Sequence, residues 1–127
     1  MIFFVLKAYY MCVFYFLETC DTCQRIRKEL NLPENVIEID IKTQPLTSQQ
    51  LELLKANSGS YEALFSKRAQ LYSQRKLKEK NLTESDYKKL LLEHYTFLKR
   101  PILFCETNLF IGNTANVIAK AKAFLHE

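Results

Sequence analysis

The chain has 127 residues, of which 48% are hydrophobic and 25% are charged. This length and composition are typical of one globular domain with its own core, and they argue against an intrinsically disordered chain. The formal net charge of +4 suits anionic small molecules or an acidic protein surface. It falls short of the charge of a nucleic-acid-binding domain, so we expect no direct nucleic-acid partner.

The chain begins with an apolar run of 17 residues that looks like a signal sequence or a membrane span. Lys7 interrupts the run, and the apolar stretch is shorter than the roughly 20 residues that a span needs. No small-residue cleavage site follows before Glu18. We therefore predict a cytoplasmic protein without membrane association, in which residues 1–10 are an apolar extension. One alternative stays open, in which the native chain starts at Met11 and the extension is not native.

The first elements predict a strand–helix–strand unit. Residues 12–17 form a continuous apolar run, which is typical of a strand buried on both faces. Ile26 and Leu30 lie four residues apart on one face of a predicted helix, which Pro33 ends. Residues 36–41 have the composition and alternation of a second strand. In such a unit the two strands are normally parallel and the crossover right-handed.

The middle of the chain is predicted to be helical. Residues 47–50 (Thr-Ser-Gln-Gln) match a capping box and open a helix to about residue 56. After a break at 57–60, residues 61–77 predict one or two further helices. Thr83 caps another helix that runs to about residue 95. Its predicted core positions are Tyr87, Leu90, Leu91 and His94.

The last third of the chain predicts a hairpin and a helix. Residues 102–105 and 109–111 are two short strands joined by a tight turn. The final helix carries an apolar stripe that consists of Val117, Ile118, Ala121, Phe124 and Leu125. The order β-α-β, helical insert, β-β-α predicts an α/β domain with a mixed four-stranded sheet. We expect this single domain to cover residues 11–127, with the helical insert at about 46–98.

The motif Cys20-Asp21-Thr22-Cys23 lies where the first strand passes into a helix. Unpaired N–H groups and the helix dipole at such a junction favour a thiolate over a thiol. Cys20 occupies the junction, and Cys23 lies one helical turn later, within reach for a disulfide. Cys20 can therefore attack an oxidised centre, and Cys23 can resolve the adduct by thiol exchange. Arg25 and Arg27 add positive charge nearby.

Zinc sites also use this cysteine spacing, but they need a second pair of ligands. The remaining cysteines and histidines form no such pair, so we predict no metal site and favour redox or nucleophilic use over an inert pair. Cys12 and Cys105 lie in apolar predicted strands. We interpret these two residues as small buried hydrophobic side chains.

Three stretches together resemble the arsenate reductase (ArsC) family, which also contains the Spx-type regulators. The first is the strand that leads into residues 18–25 (Glu-Thr-Cys-Asp-Thr-Cys-Gln-Arg). The second is 64–68 (Leu-Phe-Ser-Lys-Arg) in the helical insert. The third is 98–103 (Leu-Lys-Arg-Pro-Ile-Leu), followed by 109–112 (Leu-Phe-Ile-Gly). The agreement in spacing and element order covers about residues 11–125.

The resemblance implies a thioredoxin-like fold with a helical insertion and a structural cis-proline at Pro101. It also implies that Arg100 and Arg68 bind an oxyanion and hold the thiolate of Cys20 ionised. Guanidinium groups suit this role because their paired donors match tetrahedral oxyanions and remain charged. For Arg68 a solvated helix face is an equal alternative, because lysines and arginines surround it in sequence.

The chain also departs from the family's pattern. Arsenate reductases coupled to glutaredoxin use one essential cysteine, lack the second cysteine of this motif and carry a third arginine after the last hairpin. Residues 111–114 (Ile-Gly-Asn-Thr) contain no arginine. The Cys20–Cys23 pair is more similar to the Spx branch.

Three functions follow as hypotheses. We favour a thiol-dependent reductase that acts on a small oxyanion or disulfide, with no bound cofactor and with glutathione and glutaredoxin or thioredoxin as electron donor. The second hypothesis is a redox-sensing regulator that docks on RNA polymerase, and the third is a general thiol–disulfide oxidoreductase. Gly59 lies near the polymerase-contacting glycine of the regulators. The charged tail of those regulators has no counterpart after Glu127.

Overall fold

A four-stranded sheet with the strand order β2-β1-β3-β4 forms the centre of the molecule. The computed structural model describes residues 11–127, so the predicted extension at 1–10 lies outside the described residues. The strands are β1 (Cys12–Phe16), β2 (Ile37–Asp40), β3 (Ile102–Cys105) and β4 (Asn108–Ile111). β1 pairs with β2 in parallel, while β3 is antiparallel to both β1 and β4. This mixed sheet confirms the predicted fold class.

Five α-helices surround the sheet in the described part of the chain. They are α1 (Asp21–Leu30), α2 (Ser48–Ser58), α3 (Gln70–Gln74), α4 (Glu84–Glu93) and α5 (Ala115–His126). Short 3₁₀ turns lie at Glu62–Leu64, Leu77–Glu79 and Tyr95–Phe97. No helix within residues 11–127 is long and apolar enough to cross a membrane.

Side-chain caps fix the starts of α2 and α4. Thr47 accepts a hydrogen bond from the backbone N–H of Gln50, whose side chain accepts one from the N–H of Thr47, so the predicted capping box is confirmed. Thr83 and Asp86 form the same reciprocal pair at α4. A threonine cap typically contributes about 1 kcal/mol to stability, so these residues define where the insert helices begin.

The core lies on β1 and β3, the two central strands. Phe14, Leu103 and Phe110 are neighbours across three strands and therefore share one face of the sheet. Ile26 of α1 and Ile118 of α5 pack on that face and leave a space of only about 10 Å³. Because β1 is covered by strands on both sides and by helices, its end is held in a fixed position. The candidate site begins where that strand ends.

The prediction of regular helix over residues 61–77 is wrong in part. Only the five residues of α3 are α-helical there, with a 3₁₀ turn on each side. The buried ring of Phe65 contacts the rings of Phe97 and Tyr87, with centroids 5.1 and 4.9 Å away. Backbone hydrogen bonds from Ser66 N–H to the Phe97 carbonyl and from Lys99 N–H to the Leu64 carbonyl hold the segment extended. These tertiary contacts override local helix propensity.

The interpretation of Cys12 and Cys105 as separate hydrophobic side chains is wrong. Both side chains are buried, as expected, but they form a disulfide. The physical reason is the strand register, which places the two residues directly opposite each other on β1 and β3. Their Cα atoms are 4.1 Å apart, well below the separation of about 7 Å beyond which a disulfide cannot form.

Candidate functional site

Cys20 is the N-cap residue of α1 and lies just beyond the end of β1. Its backbone is extended (φ −94°, ψ 115°), and its N–H donates to the Leu17 carbonyl over 3.0 Å. Its own carbonyl accepts the first helical hydrogen bond, from Gln24 N–H. The Cys20 thiol is half-buried, whereas Cys23 is completely buried one turn later. The local fold therefore presents one sulfur to solvent and keeps the other beneath it.

The surroundings of the two thiols separate their acidities. Burial raises the pKa of Cys20, but hydrogen bonds from the backbone N–H and the thiol of Cys23 and from the Arg100 guanidinium outweigh it. With the positive charge of Arg100 added, the pKa of Cys20 lies below its ordinary value. Burial raises the pKa of Cys23, and the neighbouring Cys20 raises it further, to about 11. Cys20 is thus the more acidic thiol of the pair, and Cys23 is held as a protonated hydrogen-bond donor.

Arg100 lies beside the cysteine pair because the chain enters β3 there. The Arg100–Pro101 peptide bond is cis, as the family resemblance implies. The Nη1 atom of Arg100 donates to the carbonyls of Thr96 and Leu98, both at 3.4 Å. Its buried Nε has no hydrogen-bond partner in the described part of the chain. One N–H of this guanidinium therefore has no acceptor among residues 11–127.

A cavity of about 830 Å³ opens beside Cys20. Its walls come from the start of α1, the segments around residues 60–69 and 96–100, and the turn at 111–114. Arg68 and Arg100 both line it, so the structure brings these two predicted residues to the same cavity as Cys20. Pro101 itself is buried under this wall.

Arg68 differs from Arg100 in its exposure. The Arg68 side chain is exposed and makes no ion pair within residues 11–127. Its place at the cavity wall is compatible with both sequence interpretations, an anion ligand and a solvated cation. Arg25 is exposed on α1, and Arg27 pairs with Glu38 of β2. The guanidinium that lowers the pKa of Cys20 is that of Arg100.

Sequence reasoning missed three charged residues of the cavity. Glu62, Lys67 and Lys99 all line it. Lys67 donates to Glu62 over 2.7 Å, and this hydrogen bond lowers the pKa of the Glu62 carboxyl. The positive charges of Lys67 and Lys99 lower it further. Lys67 and Lys99 stand directly before Arg68 and Arg100, so those two stretches already contained the signal for both lysines. Nothing in the sequence pointed to Glu62.

The turn after β4 closes the cavity where the family pattern has its third arginine. Gly112 has φ +95°, a conformation that glycine adopts without strain, and its N–H donates to the Pro101 carbonyl over 2.9 Å. Asn113 and Thr114 complete this wall. The cavity therefore has polar, uncharged groups on this side. No group of three or more metal-ligating side chains lies within residues 11–127.

A strand that leads into a cysteine at a helix N-terminus, with a cis-proline beside it, defines a thioredoxin-like protein. The model of the ArsC family matches residues 15–121 of the chain. The chain therefore belongs to the ArsC family. No curated protein sequence matches it significantly.

Solved structures agree with this assignment. A protein of Streptococcus mutans described as a possible arsenate reductase is 31% identical, with a TM-score of 0.65, and the match covers 79% of this chain and 87% of that one. A Bacteroides fragilis protein described as related to the ArsC family is 24% identical, with a TM-score of 0.74, and the match covers 87% of this chain and 96% of the other. The arsenate reductase of Vibrio cholerae is 16% identical, with a TM-score of 0.72, and coverages of 91% and 98%. The last two support the fold alone.

Proposed function

We propose that the protein is a thiol-dependent reductase of the arsenate reductase type, with Cys20 as its nucleophile. The observation that carries this proposal is the position of Cys20 at a helix start in one cavity with Arg100. The guanidinium of Arg100 lowers the pKa of the Cys20 thiol, and its buried Nε has no hydrogen-bond partner within residues 11–127. A buried donor without a partner costs roughly 1–3 kcal/mol, which an oxyanion bound beside the thiolate would recover. Family membership and the Streptococcus mutans relative support the same chemistry.

In the proposed reaction the thiolate of Cys20 attacks the central atom of the bound oxyanion, arsenate in the type reaction. A sulfur–arsenic bond forms, and one protonated oxygen leaves as water. Arg100, and Arg68 if its side chain reaches the ligand, would neutralise the charge on the remaining oxygens. The cavity beside Cys20 is far larger than this five-atom substrate and leaves room for a second thiol.

A second thiol then completes the reduction. Its sulfur bonds to the sulfur of Cys20, the sulfur–arsenic bond breaks, and the electron pair stays on arsenic, which leaves as arsenite. The products are a disulfide and a centre reduced by two electrons. Either Cys23 or glutathione supplies this thiol in the proposal, and glutaredoxin or thioredoxin reduces the resulting disulfide.

The interaction between the two thiols would make Cys23 reactive only after Cys20 has bonded to the substrate. The pKa of Cys23 is about 11, mainly because the thiol is buried. The neighbouring Cys20 contributes to this value, because a charged Cys20 would repel a second thiolate. Bonding of Cys20 to the substrate removes that negative charge, so the pKa of Cys23 falls towards its ordinary value. Cys23 would therefore be unreactive before the first step and more easily ionised after it.

The regulator hypothesis shares the Cys20–Cys23 pair, but no contact within residues 11–127 favours it. Gly59, its supporting residue in the sequence, ends α2 in the left-handed conformation (φ +98°). Glycine is the usual residue at such a helix end, so the helix end alone explains why a glycine is at position 59. The general oxidoreductase hypothesis differs from the proposal only in substrate, and the same experiment separates the two.

The test is NADPH consumption that depends on arsenate, with the glutathione–glutaredoxin and thioredoxin systems supplied separately. We expect turnover with one of the two systems, and a loss of at least about 10³-fold in Cys20→Ser. The matched control is Cys12→Ser, which changes a cysteine at the other end of β1 and should leave the turnover in place. Turnover that persists in Cys20→Ser would refute the proposal. Activity on disulfides without activity on arsenate would favour the general oxidoreductase.

A further inference from the structure

The positive charge of the protein is concentrated in one segment beside the candidate site. Residues 67–80, which we call the basic segment, hold six of the chain's 18 lysines and arginines and one of its 14 acidic residues. The segment therefore carries a formal charge of +5, whereas the whole chain carries +4. The rest of the chain has a net formal charge of −1, so the excess positive charge lies in this segment, where it can attract an acidic partner.

All six cationic side chains of the basic segment are exposed. They are Lys67, Arg68, Arg75, Lys76, Lys78 and Lys80. Two of them have acidic partners, since Lys67 pairs with Glu62 and Arg75 pairs with Glu93. The other four make no ion pair with any residue from 11 to 127. Most of the charge of the segment is therefore available to a partner.

The fold holds this segment in place. Ala69 and Leu77 are buried in the core, and the Arg75 guanidinium lies over the Phe97 ring at 5.7 Å. Phe97 comes three residues before Arg100, in the stretch that also contributes to the cavity wall. The basic segment therefore contacts the same stretch of chain that forms this wall. A positively charged surface on a fixed backbone can complement a partner with little loss of conformational entropy.

The basic segment continues beyond the cavity. Lys67 and Arg68 line the cavity with Cys20, whereas Lys76, Lys78 and Lys80 do not. A small oxyanion bound at Cys20 has no use for these three lysines. They suit a ligand that covers the cavity opening and extends across the neighbouring surface, which is the footprint of a protein.

We propose that the basic segment docks an acidic dithiol protein that reduces the Cys20–Cys23 disulfide. This inference rests on the proposed redox cycle of the two cysteines. One thiolate of the partner attacks the sulfur of Cys20, which is the more accessible of the two, and releases Cys23 as a thiolate that takes up a proton. The second thiol of the partner then attacks the mixed disulfide, which leaves the partner oxidised and Cys20 reduced.

The test measures how fast two reductants open the Cys20–Cys23 disulfide of the oxidised full chain. One is dithiothreitol, which is small and neutral, and the other is a thioredoxin of acidic isoelectric point. In K76E/K78E/K80E we expect the rate with the thioredoxin to fall by about tenfold or more at low ionic strength. The rate with dithiothreitol should stay within about twofold of the unmodified protein. The difference should vanish near 1 M salt, where the Debye length is about 3 Å.

The matched control is K28E/K120E/K122E, which makes the same charge change on exposed residues of α1 and α5. Lys28 and Lys122 lie together near the C-terminal ends of these helices, whereas Cys20 lies at the N-terminal end of α1. This variant should keep its rate with the thioredoxin within about twofold. Circular dichroism checks that both variants are folded.

Three other results of this rate comparison would overturn the docking inference. An equal loss of the thioredoxin rate in both triple variants would mean that the net charge of the protein, and not the basic segment, controls the rate. Equal loss with both reductants would mean that the lysines act on the disulfide itself. An unchanged thioredoxin rate together with lost binding to a mixed-sequence RNA would assign the segment to nucleic acid. Normal docking in a protein without arsenate turnover would refute the reductase proposal alone. A chain that forms no Cys20–Cys23 disulfide would refute the docking inference alone, because glutathione can supply the second thiol of the proposed reduction.

Discussion

The two cysteine pairs lie at opposite ends of β1 and have opposite states. At the start of the strand Cys12 is joined to Cys105, and both are buried. Just beyond its end Cys20 and Cys23 are free thiols, one of them half-buried beside a cavity. The residue type is the same at both ends, so the difference must come from the surroundings.

Two physical factors produce this difference. The β1–β3 register places Cys12 and Cys105 directly opposite each other, and both are buried in the core. The helix start places Cys20 against the N–H of Cys23 and the guanidinium of Arg100, which lower its pKa. The strand pairing therefore allows a cross-link, whereas the strand-to-helix junction with an arginine lowers the pKa of a free thiol.

The largest expected difference is in alkylation rate. With a pKa of about 11, Cys23 is ionised to only about one part in 10⁴ at pH 7. Because the pKa of Cys20 lies below its ordinary value, its thiolate persists to lower pH than that of a free cysteine. We expect iodoacetamide to modify Cys20 at least about 10²-fold faster than Cys23, with a rate that levels off at a lower pH than the rate of a free cysteine. Peptide mapping after short exposure measures this, and Cys20→Ser is the control. Equal labelling of the two residues would contradict the assigned nucleophile.

The Cys12–Cys105 disulfide should affect the stability of the fold and not the reactivity of Cys20. The disulfide joins residues 93 apart in sequence, so it restricts the unfolded chain strongly. We expect Cys12→Ala/Cys105→Ala to lower the free energy of unfolding by about 2–4 kcal/mol, as measured by urea denaturation without reductant. Cys20 alkylation should be unchanged in this variant, because the pair lies at the other end of the strand. A variant as stable as the unmodified protein would show that the cross-link is absent in solution.

The smallest expected effect is on the acidity of Cys20. Arg100→Ala removes a hydrogen bond and a positive charge from the thiolate, so the pKa of Cys20 should rise. Ultraviolet absorbance of the thiolate, followed against pH in Cys23→Ser and in its double variant with Arg100→Ala, measures the shift. The matched control is Arg25→Ala, which removes an exposed guanidinium from α1 and should leave the titration in place. An unchanged titration after Arg100→Ala would remove Arg100 from the site.

Features that depend on neighbours in sequence were predictable. The apolar run of β1, the cap at Thr47 and the position of Cys20 at a helix start are local properties, and the structure confirms them. The cis bond before Pro101 followed from the family resemblance. The chemical roles of Cys20, Cys23, Arg68 and Arg100 stay predictions.

Features that depend on distant pairing were not predictable. The Cys12–Cys105 disulfide needs the register of two strands that no local pattern determines. The irregular backbone around Phe65 depends on rings contributed by later residues, and Glu62 enters the cavity wall for the same reason. Sequence patterns therefore located the cysteine at the helix start, while the cross-link and the cavity rim required the assembled chain.

The proposed binding of an oxyanion at Arg100, whose Nε has no partner within residues 11–127, would also affect heat resistance. Without a ligand the folded protein bears the cost of a buried donor that the unfolded chain satisfies with water. An anion that binds there selects the folded state, and its stabilising effect grows with the logarithm of its concentration. Tetrahedral oxyanions in a buffer should therefore raise the melting temperature more than chloride does at equal ionic strength. The thermal stability of the protein then reports which anions its cavity prefers, without any catalytic turnover.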